Sequence, residues 1–119
     1  MRLDKMVKAT VAALEDIKAR DIVVLDVRPK TSLFNWMVIA SADSTRQTKA
    51  LSNNVREKLK SSGAKVYGVE GQENGEWVLV DLGDVVVHIM QPAVRKYYNL
   101  EQLWSYSRPA RRGRKTAAF

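Results

Sequence analysis

WVLVDLGDVVVHIM, residues 77–90, consists of two apolar runs of strand length separated by a glycine. Gly83 can supply the positive φ that a tight turn requires, so the stretch predicts a β-hairpin. With Leu82-Gly83 as the turn, Asp81 opposes Asp84, Leu79 opposes Val86, and Trp77 opposes His88. Side chains alternate across a sheet, so these residues and Met90 share one face. The other face carries Val78, Val80, Val85, Val87 and Ile89; it is wholly aliphatic and must be core. The first face mixes an indole, an imidazole and two carboxylates, and is the candidate binding face. Two aspartates side by side repel by a few tenths to about 1 kcal/mol. A cation, internal or from a partner, would offset that cost. The structural alternative is that Lys or Arg of this chain pairs with them while Trp77 packs under the last helix. A one-residue change in loop length would reshuffle the faces.

Upstream, Leu3, Val7, Val11, Leu14 and Ile17 mark one face of an amphipathic helix over residues 3–18. Ile22–Val27 is a β-branched run ended by Pro29, and Trp36–Ala40 is a second. Ser44 and Gln47 form a capping-box pattern. The helix they open runs to about Ser62, with Leu51, Val55 and Leu59 inward and Gly63 just past its end. Lys65–Val69 reads as a third strand, followed by a loop containing Gly68, Gly71 and Gly75. Glu76–Asp81 and Asp84–Met90 complete five strands. Pro92 can open a short helix, and Leu100, Leu103 and Trp104 suggest a last turn packed on the body. The pattern predicts a single mixed α+β (α/β) domain whose five-stranded sheet is flanked by helices.

Composition narrows the function. The 119 residues are 45% hydrophobic and include no cysteine. Disulfides, thiolate nucleophiles and thiolate metal sites are therefore excluded. No apolar run approaches the roughly 18 residues of a membrane span, and the first ten residues lack a signal-peptide block, so a cytoplasmic protein with no membrane contact is expected. The net charge of +7 is uneven. Residues 108–119 hold Arg108, Arg111, Arg112, Arg114 and Lys115 and no acid, whereas residues 1–107 hold 15 basic and 13 acidic side chains. This divides the chain into a folded domain, 1–107, and a basic tail, 108–119, whose composition predicts disorder. The tail could contact RNA phosphates or serve only as a solubilising appendage.

Chemistry is sparse. His88, the single histidine, lies within a strand with no Ser–Asp constellation nearby, which favours a partly buried, hydrogen-bonded role over general-base catalysis. One histidine and no cysteine do not make a zinc site. Asp81 and Asp84 could in principle hold Mg²⁺, but no phosphate-cradling Gly-Lys-Ser/Thr loop accompanies them. Gly68, Gly71 and Gly75 lack the context of a dinucleotide site. Ser41, Asp43, Ser44 and Thr45 are most simply helix-cap residues. Arg95, Lys96, Tyr97 and Tyr98 have the composition of protein and RNA interfaces. No catalytic residue, metal or cofactor is assigned, and binding is favoured over catalysis.

The hairpin, followed by R-K-Y-Y-N-L-E-Q-L-W at 95–104, resembles the ribosomal silencing factor family, also called RsfS or Iojap. The D-I-V-V-L-D-V run from Asp21, W-M-V-I-A-S from Trp36, S-T-R-Q at Ser44 and V-E-G at Val69 fall in family order. The resemblance covers about residues 3–105, with Ala42 standing where glycine is frequent and Leu82 where tyrosine is frequent. It implies a nucleotidyltransferase-like fold without that superfamily's catalytic signature, and therefore a protein that is not an enzyme. It further implies a translational repressor that binds the large ribosomal subunit through ribosomal protein L14 (uL14) and blocks joining of the small subunit. The implied contacts are Trp77, Asp81, Asp84 and Tyr98, with His88 and Arg95 behind them. Two alternatives stand beside it: a nucleotidyltransferase-like enzyme using Asp81 and Asp84 with Mg²⁺, and an RNA-binding ribosome assembly factor led by the tail. A homodimer of the free chain is compatible with an apolar patch awaiting a partner.

Overall fold

The computed structural model describes residues 2–105; the basic tail from Arg108 to Lys115 lies outside the described residues. The first helix, α1 (Leu3–Asp16), buries Met6, Thr10, Ala13 and Leu14. Its inward stripe is thus rotated from the predicted one, with Leu3, Val7 and Ile17 packed at its margins. Thr10 tolerates full burial because its hydroxyl donates to the Met6 carbonyl at 2.8 Å, which satisfies the polar group locally.

Five strands follow the predicted order: β1 (Arg20–Asp26), β2 (Trp36–Ser41), β3 (Gly68–Glu70), β4 (Trp77–Asp81) and β5 (Val85–Met90). In space they run β1-β2-β5-β4-β3. The central pair β2–β5 is parallel and the other pairs are antiparallel, so the sheet is mixed, as expected. β3 is shorter and later than predicted. Before it, the Tyr67 N–H reaches the Asp81 carbonyl at 2.8 Å, but the ladder proper begins at Gly68.

A parallel neighbour needs a crossover connection, and α2 (Thr45–Ser61) is its helical part. The Ser44 hydroxyl accepts the Gln47 N–H at 3.1 Å, as a cap should. Gln47 Oε1 accepts from the Asp43 N–H at 2.9 Å, one residue further back than in the standard box. Leu51, Val55 and Leu59 are fully buried. They pack with Leu14 against Val38, Ala40, Val78, Val80, Leu82, Val85, Val87 and Ile89 on the back of the sheet. At about 1.5–3 kcal/mol per buried aliphatic side chain, this layer is the main source of stability.

The hairpin register differs from expectation. Asp81 pairs with Val86, Leu79 with His88, and Trp77 with Met90. The turn is centred one residue later, on Gly83-Asp84, with the Leu82 N–H donating to the Val85 carbonyl at 2.9 Å. Two forces set this centre. Leu82 is only 2% exposed and fills the core, and the Asp81 carboxylate accepts the Gly83 N–H at 2.8 Å. Asp81 and Asp84 are therefore not a cross-strand pair, and the predicted repulsion across the ladder does not arise. Moving the turn by one residue shifts the pairing by two, so the side chains of β4 and β5 keep their predicted faces while Asp84 leaves the strand for the turn.

The front of the sheet has a smaller cover. Pro92 opens α3 (Pro92–Tyr98), and Asn99 at φ 48° ends it in the left-handed region. α4 (Leu100–Ser105) then turns back, bringing Trp104 against Phe34 with ring centroids 5.7 Å apart. Val27, Met37, Ile39 and Met90 form the floor of this second cluster, with Trp77, Val94 and Leu100 around it. Leu103 points outward instead and is exposed. Among the described residues, no helix is long and apolar enough to cross a membrane.

Gly71 adopts φ +86°, and a Cβ there would sit 2.1 Å from the Trp77 carbonyl oxygen. At Gly83, also at φ +86°, a Cβ would meet only the edge of the Tyr67 ring, at 2.7 Å. A ring can move more readily than strand backbone. Gly71→Ala should therefore cost about 3 kcal/mol or more and Gly83→Ala roughly 1–2 kcal/mol, an order that urea unfolding of both variants will check.

Candidate functional site

The front cover leaves the hairpin end of the sheet open. A groove of about 420 Å³ lies there, walled by Leu33 and Phe34 before β2, Leu79 and Val86 on the hairpin, and Leu100 and Trp104 of α4. His88 and Met37 lie deeper, and Asp81 and Gly83 form part of its lining near the turn. Asp81 is half-buried and Asp84, in the turn, is exposed. The Asp84 backbone carbonyl accepts the N–H groups of Asn35 and Trp36 at 2.8 and 3.0 Å. This fastens the hairpin tip to the segment that forms the opposite wall. Among the described residues, no ion pair involves either aspartate. The internal cation of the structural alternative is thus absent from that part of the chain.

Beside the groove runs a ladder of rings. Tyr97 meets Tyr98 edge-on at 4.9 Å, and Tyr98 meets Trp77 at 4.9 Å. The Trp77 indole N–H donates to His88 Nδ1 at 3.0 Å. Both tyrosines are exposed, Trp77 is half-buried, and His88 is buried at 7% exposure. Burial pushes the His88 imidazole down to about 4, because a charged ring would lose its hydration there. Protonation of Nδ1 would also set it against the indole N–H. His88 is thus a neutral acceptor that fixes the tilt of Trp77.

Arg95 has a different setting. It is 9% exposed. Its Nε and Nη2 reach the two Glu101 oxygens, each at 2.9 Å, and its Nη1 donates to Ser41 Oγ at 2.7 Å. The guanidinium ties α3, α4 and the end of β2 together, a bidentate geometry lysine cannot reproduce.

The structure thus places Asp81 and His88 in the groove and links His88 through Trp77 to Tyr98, whereas Asp84 sits in the turn beside a separate recess formed with Met6, Ala64 and Lys65 and Arg95 lies inside as the anchor of the helical wall. Arg108, Arg111, Arg112, Arg114 and Lys115 lie outside the described residues. Leu33 and Phe34 were not visible as site residues, since the connection they sit in carries no motif. Leu79 and Val86 share the predicted face, but as ordinary aliphatics they carry no signal of a site role. Among the described residues, no group of three or more His, Asp or Glu could hold a metal ion, and one Asp81 oxygen is already engaged by the turn.

The family model described as "Ribosomal silencing factor during starvation" matches residues 1–117. The chain belongs to the ribosomal silencing factor family. The match extends past the segments that carry the motif resemblance and into the basic tail. The ribosomal silencing factor RsfS of Chromobacterium violaceum is 54% identical over 110 residues, covering 92% of this chain and 90% of that protein. A crystal structure of a C. violaceum protein superposes with a TM-score of 0.87 at 54% identity and covers 92% of each chain. "Mitochondrial assembly of ribosomal large subunit protein 1" of Mus musculus is 35% identical over 98 residues, 80% of this chain and 43% of that longer protein. The silencing-factor relatives are named as regulatory rather than catalytic proteins.

Two outcomes test this architecture. The unfolded chain protonates His88 near 6.5, whereas the folded chain does not until about 4. This contribution to stability is therefore complete above pH 6.5 and is lost as pH falls from 6.5 to 4, by on the order of 3 kcal/mol. His88→Asn should flatten that slope relative to wild type in urea titrations at pH 7.5, 5.5 and 4.5. Arg95→Lys and Arg95→Met should each lose on the order of 2 kcal/mol, with protease susceptibility rising first in α4; a neutral Arg95→Lys would contradict the clamp.

Proposed function

We propose that this ribosomal silencing factor is a cytoplasmic translational repressor. It docks on the large ribosomal subunit through ribosomal protein L14 (uL14) and sterically blocks the small subunit. One observation carries this reading: the apolar groove at the open end of the sheet is lined by the Asp81 carboxylate, with Asp84 exposed in the adjoining turn, and neither has an ion-pair partner among the described residues. Proteins that bind rRNA are basic, and a cationic partner would complement this rim while an apolar side chain enters the groove. Trp77 and Tyr98 supply aromatic contact surface, with Asp81 and Asp84 steering and aligning the partner. His88 and Arg95 act from behind by holding Trp77 and the helical wall. The mouse relative's name, with its large-subunit assembly, supports the choice of subunit.

No catalysis is required. A factor occupying the subunit interface excludes the competing subunit when its concentration relative to its dissociation constant exceeds the same ratio for the small subunit. The basic tail is proposed to add rRNA phosphate contacts once the domain is docked, which would make affinity salt-dependent.

Asp84→Lys replaces an exposed turn carboxylate whose side chain makes no described ion pair, so stability should stay within about 0.5 kcal/mol. Like charges facing a basic partner should weaken binding about tenfold or more. Co-sedimentation with purified large subunits reads this directly, with Asp81→Lys as a second variant. Undiminished binding of both would overturn the docking face, and binding without loss of subunit joining would overturn the blocking mechanism. An affinity for nucleoside triphosphate and Mg²⁺ that depends on Asp81 would instead favour an enzyme.

A further inference from the structure

The groove makes a polar demand as well as an apolar one. We propose that His88 places an unmet Nε2–H donor at the groove floor, and that the occupant it selects is a protein segment presenting a neutral carbonyl oxygen. The identity of that occupant rests on the docking reading above; the free donor itself does not.

The donor follows from the hydrogen bond on the other side of the ring. The Trp77 indole N–H donates to His88 Nδ1 at 3.0 Å. A ring nitrogen that accepts carries no proton, so the one proton of the neutral imidazole sits on Nε2. The indole bond is the one hydrogen bond that this side chain makes among the described residues. At 7% exposure the ring is well inside the protein. A buried N–H without an acceptor is costly and uncommon in a folded chain.

Its direction follows from the ladder. The two nitrogens of an imidazole point nearly opposite ways, so Nε2 faces away from Trp77. In the hairpin, His88 stands opposite Leu79, with Trp77 on the side of Met90 and Asp81 on the side of Val86. Away from Trp77 is therefore toward the hairpin tip, where the groove lies. His88 is part of the groove lining and Trp77 is not.

The lining then selects among occupants. Phe34, Val86 and Trp104 take an apolar body. A pure hydrocarbon would shut water away from Nε2–H and leave it without an acceptor. A carboxylate or a phosphate would satisfy the donor but would meet the Asp81 carboxylate in the same groove, which disfavours the backbone of RNA. A neutral carbonyl oxygen satisfies the donor without that repulsion. Asp81 uses one oxygen on the Gly83 N–H at 2.8 Å and keeps the other for a cation or an N–H of the same segment. Asp81 and His88 are diagonal neighbours across the ladder, about 7–8 Å apart in backbone. A donor on the floor and an acceptor at the lip thus read the polarity of what enters, which discriminates more sharply than apolar fit does.

The test has an arm free of any ribosomal protein. Nitrogen NMR of the His88 ring in the full chain should show Nε2 protonated and Nδ1 bare; the reverse tautomer would overturn the proposal. Acetophenone and its carbonyl-free analogue ethylbenzene should both shift the Leu79 and Val86 methyl signals, and only acetophenone should move the Nε2–H signal downfield. An unmoved Nε2–H, or unmoved methyls with both probes, would overturn the site. The second arm measures binding of isolated uL14 to wild type, His88→Asn and His88→Gln. The shorter amide can accept the indole N–H but does not reach the groove, whereas the longer one can donate there. His88→Asn should weaken binding about tenfold and His88→Gln should restore most of it. Equal affinities for the two variants would overturn carbonyl selection by this residue. Should uL14 bind none of the three, the docking reading fails, and acetophenone still decides the donor site.

Discussion

Whether a strand residue faces the core or the open side is set by its place in the hairpin, and in this chain that place rests on one hydrogen bond acting together with the burial of Leu82. The Asp81 carboxylate accepts the Gly83 N–H, fixing the turn on Gly83-Asp84. From there, Val78, Val80, Leu82, Val85, Val87 and Ile89 point to the helical layer, while Trp77, Leu79, Asp81, Val86 and His88 point to the open side. A slip of a single residue in one strand would turn those aliphatics toward solvent and the carboxylate into the core. The same aspartate that lines the groove therefore also keeps the register that creates it.

The back and front layers are held by different physics. Behind the sheet, two long helices bury an aliphatic surface, and stability there follows area removed from water. In front, the cover is two short helices that could not stand alone. Their position rests on the Arg95 fork to Glu101 and Ser41 and on tilted and edge-on ring contacts. Polar anchoring defines a geometry more sharply than apolar packing does, at some expense in stability. That suits a wall whose task is to keep a groove open rather than to fill it.

Much of this was legible in the sequence, and the reasons differ by element. The strands, the capped second helix and the two hairpin faces follow from periodicity and from the glycine, which act locally. The turn centre was misplaced by one because Leu-Gly and Gly-Asp are both acceptable turns. The burial of Leu82 and the hydrogen bond from the Gly83 N–H to the Asp81 carboxylate separate them. The first helix rotated because Thr10, polar on paper, hides its hydroxyl on its own backbone. Of the site, the carboxylates, indole and histidine stood out by type. Leu33 and Phe34 did not, because their role comes from where the connection between β1 and β2 lies in space, and no local pattern encodes that. The interior posting of Arg95 was equally hidden, since its partners Ser41 and Glu101 come from different elements.

The two hydrogen bonds from Asn35 and Trp36 to the Asp84 carbonyl bear on timing. They join the tip of one groove wall to the base of the other through backbone, so the spacing of the walls is set before any partner arrives. A preformed wall spacing loses little conformational freedom on binding and needs no slow rearrangement. For a partner docking as proposed, encounter would be governed by diffusion and charge steering, and the lifetime of the complex by how well the groove is filled. Variation in the apolar lining would chiefly change how long a docked molecule stays, whereas variation in the rim charges would change how quickly it arrives.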